Sequence, residues 1–204
     1  MLHQFKAPFV YVHRVQNHDA IKAQLMPNIL SFYHEHKNDP DYHWAKSKTV
    51  NSHCHQDLSI FTPEMYREIV WNPLDAMLNE LPDYSKPYKS YLTSMWWNIY
   101  PPQSFAEVHD HRCYDISGAY FLHLTEPNTL CFDPPCHDGF FPFTHETLHT
   151  DDITSEGDVV LFPSALRHYV NPCLELRATI SFNIACDITE TNTNPLSQVL
   201  NAKR

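Results

Sequence analysis

His109-Asp110-His111 and, far along the chain, His168 followed nine positions later by Arg177 are the residues of this 204-residue sequence whose types and spacing could do chemistry. Neutral imidazole binds iron, zinc, copper and nickel, and two or three imidazoles on one side of an ion leave positions for substrate or oxygen. An arginine beside such a site can hold a carboxylate by two parallel hydrogen bonds. With 15 histidines in the chain, an H-x-H pair alone says little. The order and spacing of all four residues say more. They predict one metal ion held by His109, His111 and His168, with Arg177 binding an anion beside it.

Strands would position these side chains. Successive residues on a strand alternate faces, so an extended His109-Asp110-His111 turns both imidazoles one way and Asp110 the other. His168 follows Gly157-Asp158-Val159-Val160-Leu161-Phe162-Pro163, a glycine turn and an apolar β-branched run that reads as a buried strand. From Arg177 to Ile184, alternation puts Arg177, Thr179, Ser181 and Asn183 on one polar face. An exposed Arg177 would pair with Glu175 or Asp158 for little gain in stability, and its register with Thr179 and Ser181 argues against that reading. Two other ligand sets stay open. A bulge would make Asp110 a ligand, and a folded-back loop would bring in Asp115; on a regular strand Asp110 instead orients an imidazole from behind.

From Ser94 to Ala185 the sequence resembles the Fe(II)/2-oxoglutarate-dependent oxygenases, in particular a small group related to their prolyl-hydroxylase-like branch. The residues that carry the resemblance are Met95-Trp96-Trp97-Asn98-Ile99-Tyr100-Pro101-Pro102, His109-Asp110-His111, Ser117-Gly118-Ala119-Tyr120-Phe121-Leu122, Gly157-Asp158 through His168, and Arg177-Ala178-Thr179. The resemblance implies a mainly β fold with flanking helices, a double-stranded β-helix or jelly-roll barrel, and a hydroxylase-type activity using Fe(II) and 2-oxoglutarate. It implies His109 and His168 as ligands and Arg177, with Thr179 on the same face, as the seat of the remote carboxylate of 2-oxoglutarate. Tyr100 would help hold that carboxylate, and Ser117, Ala119 and Phe121 would line the cosubstrate pocket. The sequence departs from the family pattern at one place: the usual carboxylate ligand of H-x-D is His111. A cupin-type metal barrel shares these motifs, taking its carboxylate from Asp115 and needing neither Arg177 nor Thr179. A barrel that binds metal or ligand without turnover is the reading from another class.

Composition fits a core-forming enzyme chain, 43% hydrophobic and 19% charged, and the expected organisation is a single domain over 1–204 with a helical layer at about 15–82 and a barrel at about 88–188. A net charge of −10 disfavours direct nucleic-acid binding, which rests on Lys and Arg, so the expected partner is a small-molecule or peptidyl substrate. The sequence has no membrane-length apolar run, its polar start reads as no signal peptide, and its six cysteines lack C-x-x-C spacing; a cytoplasmic protein with reduced thiols is expected. A first strand is expected near Pro8–Val12. A helix follows from about Asp19 to Lys37, bent or split at Pro27, with Ile21, Leu25, Ile29 and Phe32 facing the barrel. Thr62-Pro63-Glu64 starts a second helix to about Val70, and Asn72-Pro73 starts a third to about Leu81. His53-Cys54-His55 reads as a polar stretch beside the site, His34 and His36 as helix-end cations. Of Trp96 and Trp97, one is expected in the core and the other at the pocket mouth. The irregular segment from Asp133 to Thr150 is either a substrate lid or a packed loop.

Overall fold

Ile21, Leu25 and Ile29 are fully buried on one face of helix α1 (His18–His36), and Phe32, half-buried on the same stripe, meets the Trp97 ring edge-on at 5.5 Å. In this computed structural model, residues 9–44, 47–53, 58–81, 88–125, 130–133, 147–151 and 153–188 are described. Pro27 lies inside α1 and does not divide it. Both Pro27 and Ala23, whose carbonyl loses its usual donor, are on the exposed side, where water can replace the missing bond.

The second and third helices also run together. The Thr62 hydroxyl accepts from the Met65 amide at 3.3 Å and starts α2 (Pro63–Tyr66); a π-turn (Arg67–Trp71) then leads straight into α3 (Asn72–Glu80). Pro73 has no amide hydrogen, and its ring would crowd the carbonyl four residues back. The wider π-turn before it relieves that conflict, so the chain continues where a restart was expected.

Ten strands occur among the described residues: β1 (Tyr11–Arg14), β2 (Val50–Asn51), β3 (Tyr88–Tyr100), β4 (Ala106–His109), β5 (Ile116–His123), β6 (Leu130–Asp133), β7 (Leu148–His149), β8 (Asp158–Pro163), β9 (Arg167–Val170) and β10 (Arg177–Ile188). They form two antiparallel sheets, of order β1-β8-β5-β10-β3-β2 and β4-β9-β6-β7. This is the double-stranded β-helix; among the described residues the two sheets do not close into a continuous barrel. The first strand begins later than expected, because pairing with β8 starts at Tyr11 opposite Leu161.

Alternation along the large sheet separates two cores. Met95, Trp97, Ile99, Tyr120, Leu122, Ile180 and Phe182 face the helices, whereas Tyr100, Phe121, Val160 and Phe162 face the small sheet with Leu130, Phe132 and Val170. The site lies in this second layer. Gly118 has a packing reason to be glycine: Phe182, its register partner, lies over it, and a Cβ would fall 2.2 Å from the ring.

Glu156, in the turn before β8, ties α1 to the edge of the sheet. Its carboxylate accepts from Lys22 Nζ at 2.5 Å, from the Leu124 amide at 2.7 Å and from His123 at 3.1 Å, and lies 3.2 Å from His18 Nε2. His18 also bonds the buried Tyr120 hydroxyl at 2.7 Å. Burial pushes the Glu156 carboxyl up, but the hydrogen bonds from Lys22, Leu124 and His18 and the Lys22 charge outweigh it and bring the pKa down to about 2. A carboxylate held below its unfolded value stabilises the fold above pH ~4.5, and that stability fades as pH falls toward 2. Glu156→Gln is therefore expected to cost about 1–2 kcal/mol at pH 7, after allowing for solvent screening, and much less at pH 3. Urea unfolding at the two pH values measures this; an equal cost at both would refute the assignment.

The four cysteines in the described residues, Cys113, Cys131, Cys173 and Cys186, are free thiols. Cys54, His55, Cys136 and residues 134–146 of the expected lid lie outside the described residues. His36 lies flat on the Tyr42 ring, with centroids 3.9 Å apart.

Candidate metal centre

His168 sits on β9 with its side chain between the sheets, 5% exposed. It is the register partner of His109 at the end of β4. Between Ala106 and His109 that pairing slips by one residue, a bulge that lets both Ala106 and His109 point inward. The bulge thus lies before the histidine pair and not at Asp110.

His111 arrives differently from the strand alternation expected of it. β4 ends at His109, and His111 lies in the loop that follows, its amide donating to the Ser164 carbonyl at 2.7 Å. The three rings nevertheless converge. Their centroids are 4.2 Å (His109–His168), 5.2 Å (His109–His111) and 5.1 Å (His111–His168) apart, and one nitrogen from each lies within 4.8 Å of the others.

The hydrogen bonds behind the rings matter as much as the convergence. His109 Nδ1 is 2.7 Å from the Glu107 carbonyl, His168 Nδ1 is 3.0 Å from the Leu166 carbonyl, and His111 Nδ1 is 2.8 Å from Asn183 Oδ1. A carbonyl oxygen only accepts, so each Nδ1 carries the proton and each Nε2 keeps its lone pair. Burial lowers all three pKa values, that of His168 to about 3 with the help of its two neighbours, and the imidazoles are neutral at pH 7. Three neutral Nε2 donors with oriented partners fit a divalent transition metal such as Fe(II).

The two carboxylates kept open as ligands are elsewhere. Asp110 accepts from Arg112 Nε at 2.8 Å, and the exposed Asp115 accepts from the Cys186 amide at 2.8 Å, which removes the carboxylate that the cupin reading required.

Along the pocket from the triad lie Arg177, Thr179 and Ser181 on β10 and Trp96, Asn98 and Tyr100 on β3, in cross-strand register. The Arg177 guanidinium, 3% exposed, stacks on the Tyr100 ring at 4.3 Å. Burial raises the Tyr100 pKa, partly offset by Arg177 and by a hydrogen bond with Thr179. Asn98 donates to Thr179 at 3.3 Å and to Ser181 at 3.0 Å. Ala119, Phe121, Leu130, Phe162 and Val170 supply the apolar wall.

Residues 94–183 match the family model described as "Putative 2OG-Fe(II) oxygenase". Over that segment, less than half of the chain, the sequence is similar to the 2OG-Fe(II) oxygenases. Similar solved structures include AviO1 from Streptomyces viridochromogenes (16% identity, 94% of each chain, TM-score 0.59) and a prolyl-4-hydroxylase from Pseudomonas putida (14% identity, 85% of this chain and 91% of that one, TM-score 0.52). A Trichoplax adhaerens prolyl hydroxylase, solved with a hypoxia-inducible-factor peptide fragment, is similar over 86% of this chain and 83% of its own (12% identity, TM-score 0.52). At these identities the structures speak for the fold. No curated protein matches the sequence. None of the helices among the described residues is long and apolar enough to cross a membrane.

Several expectations for the pocket change in detail. Ser117 is not among the residues lining the pocket: it is buried behind His111, 3.0 Å from Nδ1 and 2.7 Å from Asn183 Oδ1, so it supports the His111 ring. Ala119 and Phe121 do line it. Trp97 enters the helix-side core and Trp96 the pocket, where His53 packs edge-on against it at 4.8 Å. Trp44, 5.0 Å from the His109 ring, was not singled out from the sequence, and Asn183 was placed on the Arg177 face without a role. Nothing in the sequence near Trp44 marks it, whereas Asn183 shares the alternation of Arg177, a signal that was available.

Proposed function

We propose that His109, His111 and His168 hold Fe(II), that Arg177 binds the remote carboxylate of 2-oxoglutarate, and that the protein hydroxylates a small-molecule or peptidyl substrate. The observation that carries this reading is the triad of Nε2 lone pairs sharing one pocket with a buried guanidinium. When bound, iron and 2-oxoglutarate would let dioxygen act as the oxidant, one oxygen atom ending in succinate as carbon dioxide leaves and the other in the hydroxyl formed at a substrate C–H bond.

The protein's residues do the rest. Arg177 offers two parallel donors whose planar fork matches a carboxylate, and the Tyr100 ring beneath holds that fork in place. Thr179, fixed by Asn98, presents its hydroxyl beside it. Phe121, Phe162, Leu130 and Val170 keep water from the polar groups, which strengthens their electrostatics. Trp44 and Trp96 flank the histidines and form the wall that a substrate would meet. The free thiols fit a reducing compartment such as the cytoplasm.

The test is anaerobic addition of Fe(II) and then 2-oxoglutarate to the purified protein, followed by air. A visible charge-transfer absorption before air, and succinate in step with consumed 2-oxoglutarate after it, are expected. Metal binding with no such absorption and no succinate would leave only a metal-binding barrel.

A further inference from the structure

We infer that Asn183 is a positioning residue that sets the tautomer of His111 and thereby makes it a metal ligand; this rests on the reading of His111 as a ligand. His109 and His168 take their Nδ1 acceptors from backbone carbonyls two residues earlier, which almost any residue at those positions would supply. His111, in a loop, has Asn183 Oδ1 at 2.8 Å and the Ser117 hydroxyl at 3.0 Å. Its tautomer therefore depends on side chains.

The Asn183 amide is itself oriented from both ends. Its Nδ2 donates to Ser94 Oγ at 3.0 Å, while the Ser117 hydroxyl donates into Oδ1 at 2.7 Å. Ser117 is in turn held by Ser164 Oγ at 2.8 Å, and the Ser164 carbonyl accepts the His111 amide. Asn183, Ser117 and Ser164 are 2%, 1% and 0% exposed, which leaves bulk water little access to the network. With Oδ1 toward the ring, the proton stays on Nδ1 and the Nε2 lone pair meets the metal. A reversed amide would present Nδ2 instead and favour the Nε2–H tautomer, which cannot ligate. Asn183 reaches this position because β10 carries it opposite Ser117 on β5 and Ser94 on β3, six residues beyond Arg177 on the same strand.

Two measurements test the inference. In the metal-free wild type, nitrogen NMR of His111 is expected to show Nδ1 protonated and Nε2 bare; an Nε2–H tautomer would overturn it. Co(II) titration is expected to show Asn183→Leu about 10–100-fold weaker than wild type. Asn183→Asp, an acceptor at both oxygens, should keep or exceed wild-type affinity and so rescue the loss. A folded Asn183→Leu protein that binds Co(II) with wild-type affinity would also overturn it. If His111→Ala left Co(II) affinity unchanged, the ligand reading would fail, while the tautomer spectrum would still decide whether Asn183 orients the ring.

Discussion

Arg177→Ala is expected to weaken 2-oxoglutarate binding to the Fe(II)-loaded protein by about 2–4 kcal/mol, the usual loss when one member of a buried charge pair is removed. Arg177 is 3% exposed on the pocket wall, and a charge buried there carries a desolvation cost that a bound dicarboxylate would help offset. The far carboxylate would gain a two-pronged bond in a water-poor setting. Pyruvate, which has the 2-oxoacid group but no second carboxylate, should bind the wild type much more weakly and be nearly indifferent to the substitution. Because Arg177 lies on β10 and stacks on Tyr100 along the pocket from the triad, Co(II) affinity should stay near wild type. Equal binding of the two acids by the wild type, or an unaltered 2-oxoglutarate affinity in Arg177→Ala, would reject the assigned role and leave the metal site standing.

His168→Ala should reduce bound Fe(II) from one ion per chain to near none. This ring is the most buried of the three, its neutral form is the most strongly favoured, and it is the register partner of a second ligand, so its loss opens the centre of the site. His109→Ala should behave alike. Replacement of His111 should weaken binding far more than Asp110→Ala or Asp115→Ala, since those carboxylates are paired with Arg112 and the Cys186 amide. Equilibrium dialysis under argon followed by elemental analysis gives the stoichiometry. Full metal content in both the His109 and His168 variants, or a larger loss from either aspartate than from His111, would contradict this ligand set.

Local patterns carried much of this molecule into its sequence. The β-branched run before His168, the period-two polar face headed by Arg177, the apolar stripe of α1 and the Thr62-Pro63 start of α2 each reflect forces acting within a few residues. They were readable for that reason. The π-turn at Arg67–Trp71 was not, because it answers to how Pro73 is accommodated in a helix packed on a sheet.

The types and order of the residues proposed to bind metal and anion were determined by the sequence itself, since imidazole and guanidinium chemistry travels with the residue. Tertiary structure alone decided how those groups became a site. The bulge in β4 turned His109 inward, the Ser164 carbonyl drew in the His111 loop, and Arg112 and Cys186 took the two aspartates elsewhere. Each of these outcomes depends on hydrogen-bond partners set by strand pairing or loop closure, and such pairing leaves no periodic trace in the order of residues along the chain.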